Sequence, residues 1–288
     1  MLSSLDQWLM DPARGQGLSG LRLALFEFWM FGLKQARACL FAGMFFVSVF
    51  LMPAEGVLSL SKYDALLLIA LILQAGMILL KLETMDELKA VCLFHLVGFV
   101  LEVFKTHPAI GSWTYPGNGA FKLFGVPLFS GFMYAAVGSY MIQAWRLFDL
   151  QIHHHPLYWM ATLTAILIYL NFFTHHFIGD YRWYLAVFAL GLYARTGVTF
   201  RPVRRDHRMP LLLAFVLIGF FIWLAENLST LLGIWKYPDQ LGAWSVVHLS
   251  KWSSWSMLVI MTFTIITHLK HIKATVHIPS PAIRRLTE

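Results

Sequence analysis

Long apolar runs and short polar connections alternate along the whole chain, with apolar stretches of 16 to 22 residues recurring from one end to the other. At about 20 residues per crossing of a hydrocarbon core, the pattern predicts eight transmembrane helices. Their limits read as Ala36–Met52, Asp64–Leu80, Glu87–Thr106, Val126–Arg146, Leu157–His175, Trp183–Thr199, Pro210–Thr230 and His248–His268. An earlier segment, Leu21–Leu33, is apolar and aromatic but short, and Arg22, Glu27 and Lys34 interrupt it. It reads as an interfacial helix lying on the membrane before the first span, the alternative being a ninth span. The expected fold is an all-α, polytopic transmembrane bundle forming one integral membrane domain over 1–288. Within it, 1–35 is a cytoplasmic or interfacial segment, 36–146 and 157–268 are four-helix halves, and 269–288 is a cytoplasmic tail.

Composition supports the same class. Of 288 residues, 58% are hydrophobic, 16% aromatic and 13% charged, against roughly 25% charged residues in soluble domains. Mean hydropathy is +0.65. Together these values exclude a disordered chain, a soluble globular enzyme and a disulfide scaffold. The two cysteines, Cys39 and Cys92, sit in or beside apolar runs, which implies no extracellular disulfide framework. The net charge of +7 suggests a nucleic-acid binder only until its placement is considered. With eight spans, 16 Lys and Arg fall on the side that carries both termini and 6 on the other. Basic residues mark cytoplasmic connections, so both termini are expected in the cytoplasm of a bacterial inner-membrane protein. The basic cluster Arg195–Arg208 then faces anionic lipid, and no nucleic-acid partner is expected. Residues Met1–Gly20 lack the basic-then-apolar pattern of a cleaved signal peptide, so the first span is expected to act as its own signal.

A six-residue pattern, G-x-W-x-Y-P, occurs twice, as Gly111-Ser-Trp113-Thr-Tyr115-Pro116 and as Gly233-Ile-Trp235-Lys-Tyr237-Pro238. Each copy follows a span with a glutamate near its outer end: Glu102 lies nine residues before Gly111, and Glu226 seven before Gly233. Such recurrence predicts two parallel four-helix repeats, with a site where the halves meet. Locally, Gly permits a turn and Pro cannot continue a helix. Trp and Tyr suit either the headgroup belt or the wall of a pocket.

The glutamates are less easily accommodated. A carboxylate in the bilayer costs roughly 2.5 to 3.5 kcal/mol on insertion scales, so it faces protein or water and usually has a partner. Lys105, three residues beyond Glu102, is one candidate. His248 and Lys251 are candidates for Glu226, from a stripe that continues through Trp252 and Trp255. His95 shares a helix face with Glu102. Two readings follow: ion pairs Glu102–Lys105 and Glu226–Lys251 that fix the packing, or a site built on the acids. In the second, Glu102 and Glu226 carry the chemistry, and His95, Lys105, Trp113, Tyr115, Asn227, Trp235, Tyr237, His248, Lys251 and Trp252 line the ligand. His153-His154-His155 and His175-His176 have no helical metal-ligand spacing. No nucleotide loop, G-x-S-x-G elbow or C-x-x-C pair is present, so no metal or cofactor is expected.

The stretch from Glu102 through the first motif to Ser130, with Glu226-Asn227 through the second motif to Lys251-Trp252, resembles the YoaT-like family of uncharacterised bacterial membrane proteins. The likeness runs from about Phe28 to His268. It carries no activity and reinforces the topology. A weaker similarity, at Glu102, Trp113, Tyr115, Glu226, Trp235 and Tyr237, is to membrane carotenoid cyclases and hydratases. Three functions are therefore expected to compete. The first is binding or translocation of a small amphipathic or lipid-like molecule at an outward-facing site between the halves. The second is acid catalysis on an isoprenoid-type lipid, and the third is a structural or accessory role in the lipid bilayer.

Overall fold

The computed structural model describes residues 3–275. Helices α1 (Ser4–Met10), α2 (Gly20–Ala38), α3 (Leu40–Leu51), α4 (Lys62–Leu79) and α5 (Met85–Thr106) are followed by a short ladder of β1 (Lys122–Leu123) and β2 (Val126–Pro127). Next come α6 (Ser130–Leu147), β3 (Gln151–His153), α7 (Tyr158–Thr174), α8 (Arg182–Tyr193), β4 (Gly197–Phe200), β5 (His207–Pro210), α9 (Leu211–Leu231) and α10 (Ser250–Thr275). The chain is mainly helical. Among the described residues, α4, α9 and the Ser250–His271 part of α10 are long and apolar enough to cross a membrane, with a fourth if the bent pair α2–α3 is one span. Of the expected cytoplasmic tail, residues 276–288, with Arg284 and Arg285, lie outside the described residues.

Several expected boundaries shift. The segment 21–33 lies within the longer, 19-residue α2, which meets α3 at Cys39 with a bend of 68°. Of the charges that interrupt its apolar pattern, Arg22 is exposed, whereas Glu27 and Lys34 are buried because each finds a distant partner. Glu27 accepts the backbone N–H groups of Arg204 and Arg205 at 3.1 and 2.8 Å, and Lys34 donates to the Arg201 carbonyl at 3.1 Å. The expected span Trp183–Thr199 is helical only to Tyr193. Beyond it β3, β4 and β5 form an antiparallel sheet in that order, so the basic stretch 195–208 is largely a β-hairpin. At Gly197 a Cβ would come within 2.9 Å of Arg208 Nε, so only glycine lets that guanidinium lie across the strand. Residues Val126 and Pro127, read as the start of a helix, pair instead with β1, and α6 opens at Ser130.

Helix α6 lies at the centre, packed on α2, α3, α5 and α10. It approaches α5 closely because glycines face aromatic rings across the contact. A Cβ on Gly98 would sit 2.3 Å from Tyr134 Cγ, and one on Gly138 would sit 2.2 Å from Phe94 Cδ2. Small residues at helix contacts are the usual device where lipid supplies no hydrophobic drive between helices. A Thr84–Glu87 capping box starts α5, with each residue accepting the other's backbone N–H.

At the end of the bundle away from the G-x-W-x-Y-P loops, a polar network ties α1 to the core. Asp6, fully buried, accepts a forked pair of bonds from Arg37 at 2.8 and 3.0 Å and a third from Arg146 at 3.1 Å. Arg146 also donates to Glu87 at 2.6 Å, and both arginines reach the Leu82 carbonyl. Beside them Glu83 accepts from Gln74 at 2.6 Å and from Ser139. Removing one member of a buried pair strands the other charge at a cost of about 3–5 kcal/mol. Arg37→Met is expected to lower the thermal midpoint of the purified protein by that equivalent, whereas a substitution at the exposed Lys89 stays within about 0.5 kcal/mol; differential scanning fluorimetry in detergent reads both.

Candidate functional site

Both motif glycines adopt the left-handed conformation, Gly111 at φ 58° and Gly233 at φ 68°, and turn the chain out of α5 and α9. This is the helix-ending geometry that glycine reaches without a steric cost. The Trp-x-Tyr segments that follow are extended and lie antiparallel to each other. Thr114 N–H donates to the Lys236 carbonyl and Lys236 N–H to the Thr114 carbonyl, both at 2.9 Å. Pairing at the middle residue sets Trp of one copy opposite Tyr of the other, because side chains alternate along an extended strand. Trp113 meets Tyr237 edge-on with ring centres 6.0 Å apart, and Tyr115 meets Trp235 at 6.5 Å.

Each tyrosine reaches back to the glutamate of the helix before it. Glu102 Oε2 accepts from Tyr115 OH and from Trp113 Nε1, each at 2.9 Å, and its Oε1 accepts from Tyr134 OH at 2.8 Å. Glu226 Oε1 accepts from Tyr237 OH at 2.6 Å, and its Oε2 accepts from Trp255 Nε1 at 2.8 Å. Tyr134 and Trp255 belong to the helices that follow the two motifs, and their rings pack together at 6.3 Å. Burial, then the adjacent carboxylate, holds the hydroxyls of Tyr115 and Tyr237 well above the ordinary tyrosine range. Both therefore remain donors.

Glu102 and Glu226 are 2% and 3% exposed, and both line one cavity of about 720 Å³. Its walls come from α2, α3, α6 and α9, and the motif residues Trp113, Ile234, Trp235 and Tyr237 close the end at the carboxylates. A volume of this size falls in the range of small-molecule sites, about 300–1,000 Å³. Most of the remaining lining is apolar, from residues such as Phe45, Val49, Leu217 and Ile218, with Gln35 and Tyr140 as polar members between α2 and α6. Three lining residues, Ala36, Leu217 and Phe221, are exposed on the outer surface of the bundle, so the cavity opens sideways between α2–α3 and α9.

The expected ion pairs do not form; among the described residues neither glutamate has a salt bridge. Three residues beyond Glu102 the helix has turned by about 300°, and Lys105 Nζ bonds instead to Nε2 of His176 at 2.8 Å and of His175 at 3.3 Å. Lys251 lies over the rings of Tyr237 and Trp113, at 4.4 and 5.9 Å from their centres. Burial and the cations around Lys105 push the His176 imidazole down to about 4. Five other expected lining residues are not part of the cavity wall, among them Tyr115, which is bonded to Glu102 from the motif loop. His95 is held between Phe99 and Phe132. His248 accepts the Ser250 N–H at the start of α10. The Trp252 indole donates to the Val216 carbonyl, and Asn227 fixes the loop by accepting the Val247 N–H at 2.8 Å. Among the described residues no three His, Cys, Asp or Glu gather as a metal-binding group.

Tyr134 and Trp255 are the donors that sequence reading missed as a pair. Their signal was positional: they stand 19 and 18 residues after Tyr115 and Tyr237. Losing one donor to a buried carboxylate costs about 1–3 kcal/mol. Tyr134→Phe is accordingly expected to destabilise the fold by that amount in thermal unfolding, while Tyr184→Phe, at an exposed ring, leaves the midpoint within about 0.5 kcal/mol.

Comparison with known proteins places the chain in a family without assigning it a task. The family model "Protein of unknown function (DUF817)" matches residues 27–263. The "Uncharacterized protein YoaT" of Bacillus subtilis (strain 168) is 49% identical over 243 residues, covering 84% of this chain and 91% of that one. No solved structure matches the chain. The similarity to carotenoid enzymes finds no support in these comparisons. Matched over most of its length by the family model and by YoaT, the chain belongs to the DUF817 family of YoaT-like proteins.

Proposed function

We propose that the protein is a multi-pass membrane protein that holds a small amphipathic, lipid-like molecule in the cavity between α2–α3 and α9. The observation that carries this reading is the pair of buried carboxylates, neither in a salt bridge among the described residues, at one end of a largely apolar cavity. A ligand with a polar head and an apolar body matches such a wall. The sideways opening at Ala36, Leu217 and Phe221 supports entry from the hydrocarbon layer rather than from water.

Eight spans in two parallel halves belong to the same proposal. The reciprocal bonds between Thr114 and Lys236, and the meeting of Tyr134 with Trp255, support an approximate two-fold axis along the membrane normal. The excess of Lys and Arg on the opposite connections supports placing the motif end outward and both termini in the cytoplasm. In a background with Cys39 and Cys92 replaced, Asp239→Cys is expected to react with an impermeant maleimide in intact cells. Arg205→Cys is expected to react only after permeabilisation, and the reverse pattern inverts the topology.

Native mass spectrometry of the purified full chain tests the ligand reading. The expected result is a retained small-molecule adduct that disappears in Ala214→Trp and Ala225→Trp, two substitutions that fill the cavity wall, while the variants stay folded. A protein that carries no adduct, or one whose adduct survives both fillings, overturns the reading.

A further inference from the structure

Resting on that ligand reading, the donor and acceptor inventory of the cavity narrows the chemistry of the head group. An ionised carboxylate offers about four lone-pair positions. Glu102 has three donors and Glu226 two, which leaves roughly three acceptor positions across the pair. Every group that touches the carboxylates donates, and an indole N–H cannot accept. A ligand head that only accepts therefore finds no partner at this end.

Charge points the same way. Among the described residues no Lys, Arg or His lines the cavity. Lys251 is close, but it lies against Tyr237 and Trp113, rings that close the carboxylate end. Two carboxylates facing a low-dielectric space repel an anionic head and attract a cationic one. The rings beside them, Trp113, Tyr134, Tyr237 and Trp255, add a quadrupole attraction for cations, as Lys251 already shows over Tyr237.

We infer that the cavity selects a cationic amphipath: a protonated amine donates to the free acceptor positions of Glu102 and Glu226, and its apolar tail lies along α3 and α9 toward the sideways opening. Charge-assisted donation at a dry carboxylate gives such a head an advantage over an uncharged donor of the same size.

The test uses the full chain in a nonionic maltoside and three bromoalkyl probes that share one tail and differ in head: primary amine, alcohol and sulfate. The bromine quenches the tryptophans that line the cavity. The amine is expected to bind on the order of tenfold or more tighter than the alcohol, with the sulfate weakest. Glu102→Gln and Glu226→Gln are each expected to bring amine affinity down toward that of the alcohol while alcohol affinity holds. Equal binding of amine and alcohol, tightest binding of the sulfate, or Gln variants that keep the full preference for amine each overturn the cationic head while the amphipath reading survives. If no probe quenches differently in the wild type and in Ala214→Phe, which fills the cavity wall without adding an indole, the cavity takes no such molecule and both fall. Should the Gln variants not fold, the ranking of heads on the wild type decides alone.

Discussion

A carboxylate taken out of water must be given donors, and in this protein that requirement shapes one whole end of the bundle. Among the described residues neither Glu102 nor Glu226 has a salt bridge; each is held by tyrosine hydroxyls and indole N–H groups from other segments. To bring those donors within reach, the two motif loops must fold back over the helix ends. They can do so because a left-handed glycine starts each loop and because the loops complete each other's backbone bonds. Burial of the acids, pairing of the loops and closure of the cavity are one arrangement rather than three.

The opposite end of the bundle obeys the same rule with different chemistry. There Asp6, Glu83 and Glu87 are held by Arg37, Arg146 and neutral amides and hydroxyls. Forked arginine–carboxylate bonds fix geometry as well as charge, so α1, α2, α5 and α6 are locked at that end. Aromatic donors around the glutamates leave acceptor positions free and space beside them. One end is tied together by charged pairs, and at the other the carboxylates line a cavity.

Much of this was legible in the sequence. The glutamates stood out because a charge within an apolar run demands an account, and the motif stood out because it recurs. Each apolar segment contains a helix. What local pattern could not supply was the set of contacts across long separations. Lys105 sits within reach of Glu102 along the helix, yet a tyrosine 32 residues away takes the bond, since the α5–α6 register depends on glycines meeting rings. Likewise Glu27 and Lys34 read as polar interruptions of an apolar run, and Arg37 follows them on α2. Their partners lie on the N-terminal helix and the 201–205 turn, so burial was invisible to any window. The hairpin at 197–210 was hidden by its arginines, which mimic an ordinary basic loop.

The two acids face one shared space, and a double-mutant cycle of Glu102→Gln and Glu226→Gln in thermal unfolding of the full chain tests this. Groups coupled through one cavity show an interaction energy of about 0.5–3 kcal/mol, and a value in that range is expected for this pair. Effects that add to within about 0.3 kcal/mol would mean that each carboxylate answers only to its own donors, and would contradict it.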